Sequence, residues 1–298
     1  MSGQVAVLRG PTAGRGRHEA SVAAALDVLR SSCDVTVLSA SSIAEAEQAC
    51  ARSIADGASA LVAIGGDGTM HLAVQAVAGT GVPFGLIPAG TGNDFATAVG
   101  IPSDLVAAAR SLASCLAAGS SRRVDLARMS GPDGYQRWFA AVLGAGFDAI
   151  VNERANAMRW PKGRRRYDIA IFAELLRLRP RPYRISVDGT AYDREAVLVA
   201  VGNTASYGGG MKMCPAADPA DGLLDVVVAG RISRTTLLRL QPKVYEGTHV
   251  THPAVTQLQG RSVTISAEDI TAYADGERTC PLPITVTAAP GALTLLAP

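Results

Sequence analysis

No apolar run in the 298 residues approaches the ~18 needed to span a membrane. The segment Met1 to Gly10 lacks the basic-then-apolar layout of a secretion signal. There is no C-x-x-C either. The five cysteines (Cys33, Cys50, Cys115, Cys214 and Cys280) are odd in number and widely spaced, which argues against a disulfide framework or a zinc site and for reduced thiols in a cytoplasm. No internal repeat is present, and the 31 glycines and 16 prolines are dispersed, so they mark many tight turns and no low-complexity tract. A modest pI and the lack of any reader motif argue against nucleic acid as a partner. What remains is a chain with 48% hydrophobic residues, long enough for about two domains.

The net charge of +2 hides an asymmetry. Between Val151 and Ile185 ten Arg or Lys residues face three Asp or Glu, a local +7 that leaves −5 for the rest. Within it, Arg159-Trp160-Pro161-Lys162-Gly163-Arg164-Arg165-Arg166-Tyr167 interleaves cations with aromatics. Such a patch suits an anionic membrane surface, while the plainer reading, favoured on this segment alone, is a solvated loop leading into a helix.

Two glycine-rich turns lie close together. Gly65-Gly66-Asp67-Gly68-Thr69 follows the apolar run Ala60 to Ile64, and Gly90-Thr91-Gly92-Asn93-Asp94 follows Val82 to Ile87. Each precedes a stretch of helical spacing. A strand that ends in glycines and opens a helix turns several backbone N–H groups toward one point, with the positive end of the helix dipole behind them. Both turns therefore read as phosphate cradles. The carboxylates inside them, Asp67 and Asp94, point to a triphosphate with its metal, because a simple anion needs no acid. Kinase chemistry follows.

The first half alternates strand and helix: Val5 to Leu8, Glu19 to Arg30, Val35 to Leu38, Ser42 to Ala55, Ala60 to Ile64, Met70 to Ala78, Pro83 to Ile87, and a helix capped by Ser103 that runs to Ala118 and closes at Gly119. This predicts an α/β domain with a doubly wound parallel sheet, binding its ligand at the carboxyl ends of the strands. Past Arg122 the pattern changes to strands: Val124 to Met129, Tyr135 to Leu143, Tyr183 to Val187, Ala196 to Val201, Leu224 to Val228, Val263 to Ser266, Thr271 to Ala274, Ile284 to Thr287 and Leu293 to Leu296. One helix, Ser233 to Val244, interrupts them. The expected architecture is a nucleotide-binding domain over 1–122 and a mostly antiparallel, β-sandwich-like substrate domain over 123–290. The final strand, 291–298, is free to return to the first domain, and the catalytic cleft is expected between the halves.

The second half adds Gly144-Ala145-Gly146-Phe147-Asp148, Gly202-Asn203, Gly208-Gly209-Gly210, Cys214-Pro215-Ala216, Asp221-Gly222-Leu223-Leu224-Asp225 and Asp275-Gly276-Glu277. Together with Val62 to Thr69 and Pro88 to Phe95, this order resembles the diacylglycerol kinase catalytic-domain family, in particular its soluble bacterial lipid kinases. G-G-D-G-T alone is weak, since NAD kinases and phosphofructokinases carry close variants. Followed by G-T-G-N-D and a distant D-G-E, it is strong.

The chemistry explains these residue types. Phosphoryl transfer needs positioned phosphates, a metal to neutralise developing charge and an oriented acceptor hydroxyl. Gly65, Gly66 and Gly68 let the backbone approach the triphosphate. The resemblance adds Thr69, Thr91, Asn93, Ser39 (where a threonine is usual) and the first loop, Gly10-Pro11-Thr12-Ala13-Gly14-Arg15, as nucleotide contacts. It implies that Asp67 organises a catalytic Mg²⁺, with Asp94 and Asp125 extending the network through water, although Asp94 could equally cap the following helix. Glu277 becomes the general base for a primary hydroxyl; without the resemblance it is a solvated residue in an Asp-Gly hairpin. Asp218, Asp221 and Leu223 resemble a structural Mg²⁺ site of hard oxygen ligands, or else form a plain polar turn.

The chain departs from the family in its first loop, which usually reads N-P-x-S-G-K. Here the asparagine is missing and Arg15 replaces the lysine with a planar fork. Nor is the loop a Walker A motif. His249 and His252 fall in an expected polar loop before Pro253, and His71 starts the helix after the first cradle. The reading is an ATP- and Mg²⁺-dependent kinase of a lipid primary hydroxyl, diacylglycerol leading, with phosphatidylglycerol or a sphingoid base as other acceptors. Its rivals are an NAD-type dinucleotide kinase and a catalytically silent lipid-binding protein. The expected setting is the cytoplasm, peripherally on the inner face of the membrane, and the resemblance allows a homodimer.

Overall fold

The structure, a computed structural model, describes residues 3–10, 19–147, 149 and 179–297. Pro11 to Arg15 of the first loop, Asp148, and the basic stretch from Arg159 to Tyr167 lie outside the described residues. The chain divides into two compact units. Unit 1 comprises Met1–Leu126, Pro219–Gly222 and Ala289–Pro298; unit 2 comprises Ala127–Asp218 and Leu223–Ala288.

Unit 1 is built on parallel strands β1 (Val5–Arg9), β2 (Val35–Leu38), β3 (Ala60–Gly65) and β4 (Pro83–Pro88), in the order β2-β1-β3-β4. β3 is buried along its whole length, as a strand covered by helices on both faces must be. Helices α1 (Glu19–Arg30) and α5 (Leu105–Ala118) pack together, as do α2 (Ile43–Ala55) and α3 (Asp67–Val77). Val22, Leu26 and Leu29 of α1 and Leu105 and Leu112 of α5 share one core with Val5, Val7, Val62 and Ile64. The short helix α4 (Asp94–Ala98) follows β4. The expected alternation is therefore present, with one local correction. Asp104, not Ser103, caps α5: its carboxylate accepts the Ala107 N–H at 2.8 Å. The helix does close on Gly119, at φ +63°.

Unit 2 is a sandwich of antiparallel strands. One sheet runs in the order β12 (Val255–Gly260), β11 (Leu224–Ala229), β10 (Leu198–Gly202), β7 (Val142–Gly146), β14 (Thr271–Ala274), β15 (Glu277–Pro281). The facing strands are β5 (Arg122–Ser130) with β6 (Gln136–Phe139), and β16 (Ile284–Leu295), β13 (Ser262–Ser266), β8 (Arg181–Val187) and β9 (Thr190–Ala196). Both sheets feed one core, including Met129, Phe139, Leu143, Val199, Val226, Ile265, Ala274 and Val286. Helix α6 (Arg234–Glu246) lays Leu240 on the outer side of β7, β10 and β11.

Here the structure corrects the expected boundaries. The run Tyr135 to Leu143 is two strands, broken at Ala140-Ala141, because the N–H groups of both alanines turn to the carboxylate of Asp275 and leave the ladder. β9, β12 and β15 were not expected. They read Thr-Ala-Tyr-Asp-Arg-Glu-Ala, Val-Thr-Gln-Leu-Gln-Gly and Glu-Arg-Thr-Cys-Pro, edge strands whose mostly exposed residues carry no apolar period. The two expected C-terminal strands are one, β16. Its first residues pair with β13, and Thr294 and Leu295 pair in parallel with Pro83 and Phe84 of β4.

Candidate functional site

The carboxyl ends of β1, β3 and β4 place Gly10 and the two glycine turns after β3 and β4 side by side. Gly10 N–H donates to the Ile64 carbonyl at 2.9 Å, and Ala89 N–H to that of Gly65 at 2.9 Å. Thr69, one turn into α3 and buried, sets its hydroxyl against the α-carbons of Gly10 and Gly65; a Cβ at either position would overlap Thr69 Oγ1. Gly66 and Gly90 touch backbone to backbone. A Cβ on Gly66 would lie 3.1 Å from the Gly90 Cα, and one on Gly90 would collide with the Gly66 Cα. The glycines thus do more than make turns: they let two strand–helix junctions meet with no side chain between them.

Asn93 binds the second junction together. It sits in the left-handed region (φ 59°, ψ 38°), a conformation that Asn tolerates better than most residues. Its Oδ1 accepts the Gly90 N–H at 3.1 Å and its Nδ2 donates to the Gly90 carbonyl at 2.9 Å. Its own N–H donates to Asp67 Oδ2 at 2.8 Å. Gly92 lies between two carboxylates: a Cβ there would stand 2.6 Å from Asp67 Oδ2 and 3.4 Å from Asp94 Oδ2. Asp94 is the first residue of α4 and is buried, while the N-cap position of that helix belongs to Asn93. Asp67 opens α3, where the helix dipole favours a negative charge.

The remaining expected nucleotide contacts on described residues are exposed or partly so. Ser39 follows the end of β2, Thr91 stands at the tip of the second turn, and Gly68 lies in the first turn of α3. His71 is buried within α3.

Two carboxylates and neighbouring backbone fit Mg²⁺, a hard cation that uses one or two carboxylates and takes its other ligands from phosphate and water. Among the described residues, no three acidic, histidine or cysteine side chains gather where they could hold an ion unaided. Asp125 has a different environment from Asp67 and Asp94. Its Oδ2 accepts the Gly222 N–H at 2.7 Å, its Oδ1 accepts the Gly291 N–H at 2.6 Å, and its own N–H donates to the Pro219 carbonyl at 2.8 Å. It ties three separate pieces of unit 1 into one. Asp218 and Asp221 are exposed and Leu223 half-buried on the loop that leads into β11.

In unit 2, Asp275 and Gly276 (φ 52° and 83°) form the two-residue turn of a tight hairpin, with Ala274 opposite Glu277. Glu277 is exposed at the first position of β15. Asp275 is buried, and its two oxygens accept the N–H groups of Ala140 (3.0 Å) and Ala141 (2.8 Å). Asn203, also buried, completes the clamp: its Nδ2 donates to the Ala140 carbonyl and its N–H to that of Ala141, both at 2.8 Å. Sequence reasoning quoted Asp275 and Asn203 as family markers and gave them no task. The structure shows that task, holding the β6–β7 junction beneath the hairpin that carries Glu277.

His249 is not in a solvated loop. It is buried in a 3₁₀ turn after α6, with Nε2 3.2 Å from the Met213 carbonyl. Burial holds its imidazole pKa below 6.5, against the opposing pull of the Met213 and Lys243 carbonyls. His252 accepts the Ala254 N–H on Nδ1, so the two histidines serve different local structures. All five cysteines are free thiols, and burial pushes Cys50 up to about 12.

Two family models match. Residues 4–129 match the diacylglycerol kinase catalytic domain, and residues 141–297 match the YegS C-terminal NAD kinase beta sandwich-like domain. A diacylglycerol kinase of Mycobacterium tuberculosis is 42% identical over 298 residues, covering 99% of this chain and 96% of that one. A diacylglycerol kinase of Staphylococcus aureus is 26% identical, covering 93% and 87%. A crystal structure of a diacylglycerol kinase from Bacillus anthracis superposes with TM-score 0.72 at 21% identity, over 99% and 97%. An ATP complex of an NAD kinase from Archaeoglobus fulgidus shares the fold at TM-score 0.56 and 15% identity, over 98% and 93%.

Proposed function

The chain belongs to the diacylglycerol kinase family and is a lipid kinase, a phosphotransferase, and from that premise we propose that it transfers the γ-phosphoryl group of ATP to the free primary hydroxyl of diacylglycerol, with Mg²⁺, giving phosphatidic acid. The observation that carries the donor half is the meeting of the Gly66 and Gly90 turns with Asp67 and Asp94 on either side of Gly92. The choice of acceptor rests on the 42% identity to the mycobacterial diacylglycerol kinase.

In this reading the backbone N–H groups of the glycine turns hold the phosphates, and no side chain stands in the way. Asp67, oriented by the Asn93 N–H, holds the metal, and Asp94 steadies the site beside it. Mg²⁺ supplies neutralisation of charge on the phosphoryl oxygens. Glu277 accepts the proton of the acceptor hydroxyl as its oxygen attacks the γ-phosphorus and the bond to the β,γ-bridging oxygen breaks, releasing ADP. Asp275 and Asn203 keep the Glu277 hairpin in place. Asp218, Asp221 and Leu223 would hold a second Mg²⁺ that supports their loop. The reaction belongs in the cytoplasm, at the inner face of the membrane. Among the described residues no helix is long and apolar enough to cross a membrane.

The test is transfer from labelled ATP to diacylglycerol, phosphatidylglycerol and sphingosine, with NAD as a control. Label in phosphatidic acid that disappears with chelator is the expected result. Label in NAD alone, or in no acceptor at all, overturns the reading in favour of a dinucleotide kinase or a silent lipid binder.

A further inference from the structure

Among the described residues three large hydrophobic side chains are strongly exposed: Ile43 at 64%, Leu238 at 50% and Tyr245 at 45%. Ile43 stands alone at the start of α2. Leu238 and Tyr245 share α6, seven residues apart, and Pro242, also exposed, falls between them at i+4. At helical spacing the three form one stripe along a single face. The opposite face is already used. Leu240 is buried, and Leu237 and Val244 pack beside it on the sheet. The helix therefore has two apolar faces, one covered and one open.

Cations border the open face. Arg234, Arg239 and Lys243 are all exposed, against the single acid Glu246. At the helix end, Lys212 from another segment donates its backbone N–H to the Val244 carbonyl at 3.0 Å, and its side chain runs beside Gly247. Buried His249, which approaches the Met213 carbonyl, and the Ser233 hydroxyl, which accepts the Thr236 N–H, hold the two ends of the helix in place.

We propose that the Leu238–Pro242–Tyr245 face of α6 is a docking surface for an anionic lipid bilayer. An amphipathic helix lying in the headgroup region presents this pattern, with an apolar stripe entering the interface, a tyrosine at headgroup depth, and Lys and Arg reaching the phosphates. A second copy of the chain fits less well. A helix of 13 residues is ~20 Å long, so its open stripe covers on the order of 200 Å², against about 800 Å² per partner in a stable dimer. The three bordering cations would also repel their own copies across a two-fold axis. The inference gains its purpose from the lipid-acceptor reading, since an enzyme whose substrate stays in a bilayer must settle on it, but its test does not use that substrate.

The experiment is flotation with vesicles that contain no diacylglycerol, one set pure phosphatidylcholine and one set mixed with phosphatidylglycerol. Wild type should bind the mixed vesicles and not the neutral ones. Leu238→Ser with Tyr245→Ser should weaken that binding at least tenfold. Arg239→Gln with Lys243→Gln, which leaves every apolar contact intact, should weaken it several-fold and flatten its salt dependence. The melting temperature of each variant, expected within a few degrees of wild type, checks the fold. Equal vesicle binding by wild type and both variants, or no binding by wild type, overturns the proposal. So does a wild-type dimer, found by sedimentation, that Leu238→Ser with Tyr245→Ser splits. Failure of the kinase assay alone would overturn the acceptor reading and leave this surface standing.

Discussion

The backbone N–H of Asn93 donates to Asp67 Oδ2 at 2.8 Å, joining residues 26 apart in sequence. Through that bond the acid of one glycine turn is oriented by the other turn, so neither cradle is complete alone. An amide at position 67 retains an oxygen for that bond, so the charge of Asp67 can be tested apart from its hydrogen bond.

Asp67→Asn keeps an oxygen able to accept from Asn93 and loses only the charge. Transfer should fall by roughly 10²–10³ or more, while the melting temperature moves by no more than a few degrees. Phosphate-transfer rates and a thermal melt check both halves. Activity close to wild type would place the metal's holder elsewhere.

Gly90→Ala sets a Cβ against the Gly66 backbone, which cannot rotate away, and 2.9 Å from the Asn93 Oδ1 that already accepts the Gly90 N–H. Such overpacking costs about 1–3 kcal/mol. The variant should melt lower and bind ATP more weakly, as read by calorimetry. An unshifted melt would mean that the two turns separate easily.

Glu277 is exposed on its hairpin, so Glu277→Gln should leave the fold and ATP binding as they are. Turnover should drop by about 10²–10⁴ if its carboxylate takes the acceptor's proton. Steady-state kinetics with diacylglycerol decides the matter, and near-normal turnover would assign the base to another residue.

Asp221→Ala tests the second ion. A cation bound only to the native state raises stability with its concentration, so Mg²⁺ should raise the melting temperature of wild type and raise that of the variant less. If Mg²⁺ moves both curves equally, or neither, the 218–223 loop is only a polar turn.

His249 predicts a pH effect with a definite sign. Burial lowers its pKa in the fold below the ordinary 6.5, so below that pH the unfolded chain binds more protons than the native one. Stability from the neutral imidazole is full above about 6.5 and is lost as pH falls through the folded value. Between pH 7 and 5, wild type should lose more melting temperature than His249→Gln. Equal slopes would show that this imidazole does not titrate between the states.

How much could be read without coordinates depends on how far apart the interacting residues lie. The edges of α1, β2 and β14 match the expected ones residue for residue, because apolar spacing and glycine punctuation act within one element. The Ser103 cap failed by one residue, since both Ser103 and Asp104 can cap, and the backbone chose the one whose oxygen reaches Ala107 N–H. β9, β12 and β15 were invisible because an exposed strand in a hairpin gets its hydrogen bonds from its neighbour and needs no apolar pattern of its own.

The sequence by itself determined the two glycine turns, the acids within them, the alternating first half and the Asp-Gly hairpin that carries Glu277. All of these are dictated by residues within a few positions of one another, through steric freedom and helix periodicity. Only the tertiary structure decided what the buried acids Asp125 and Asp275 do. Asp125 spends its oxygens on Gly222 and Gly291, 97 and 166 residues away, and Asp275 spends its own on Ala140 and Ala141, 135 and 134 away. A buried carboxylate must find hydrogen-bond donors, and which N–H groups come within reach depends on where the chain returns.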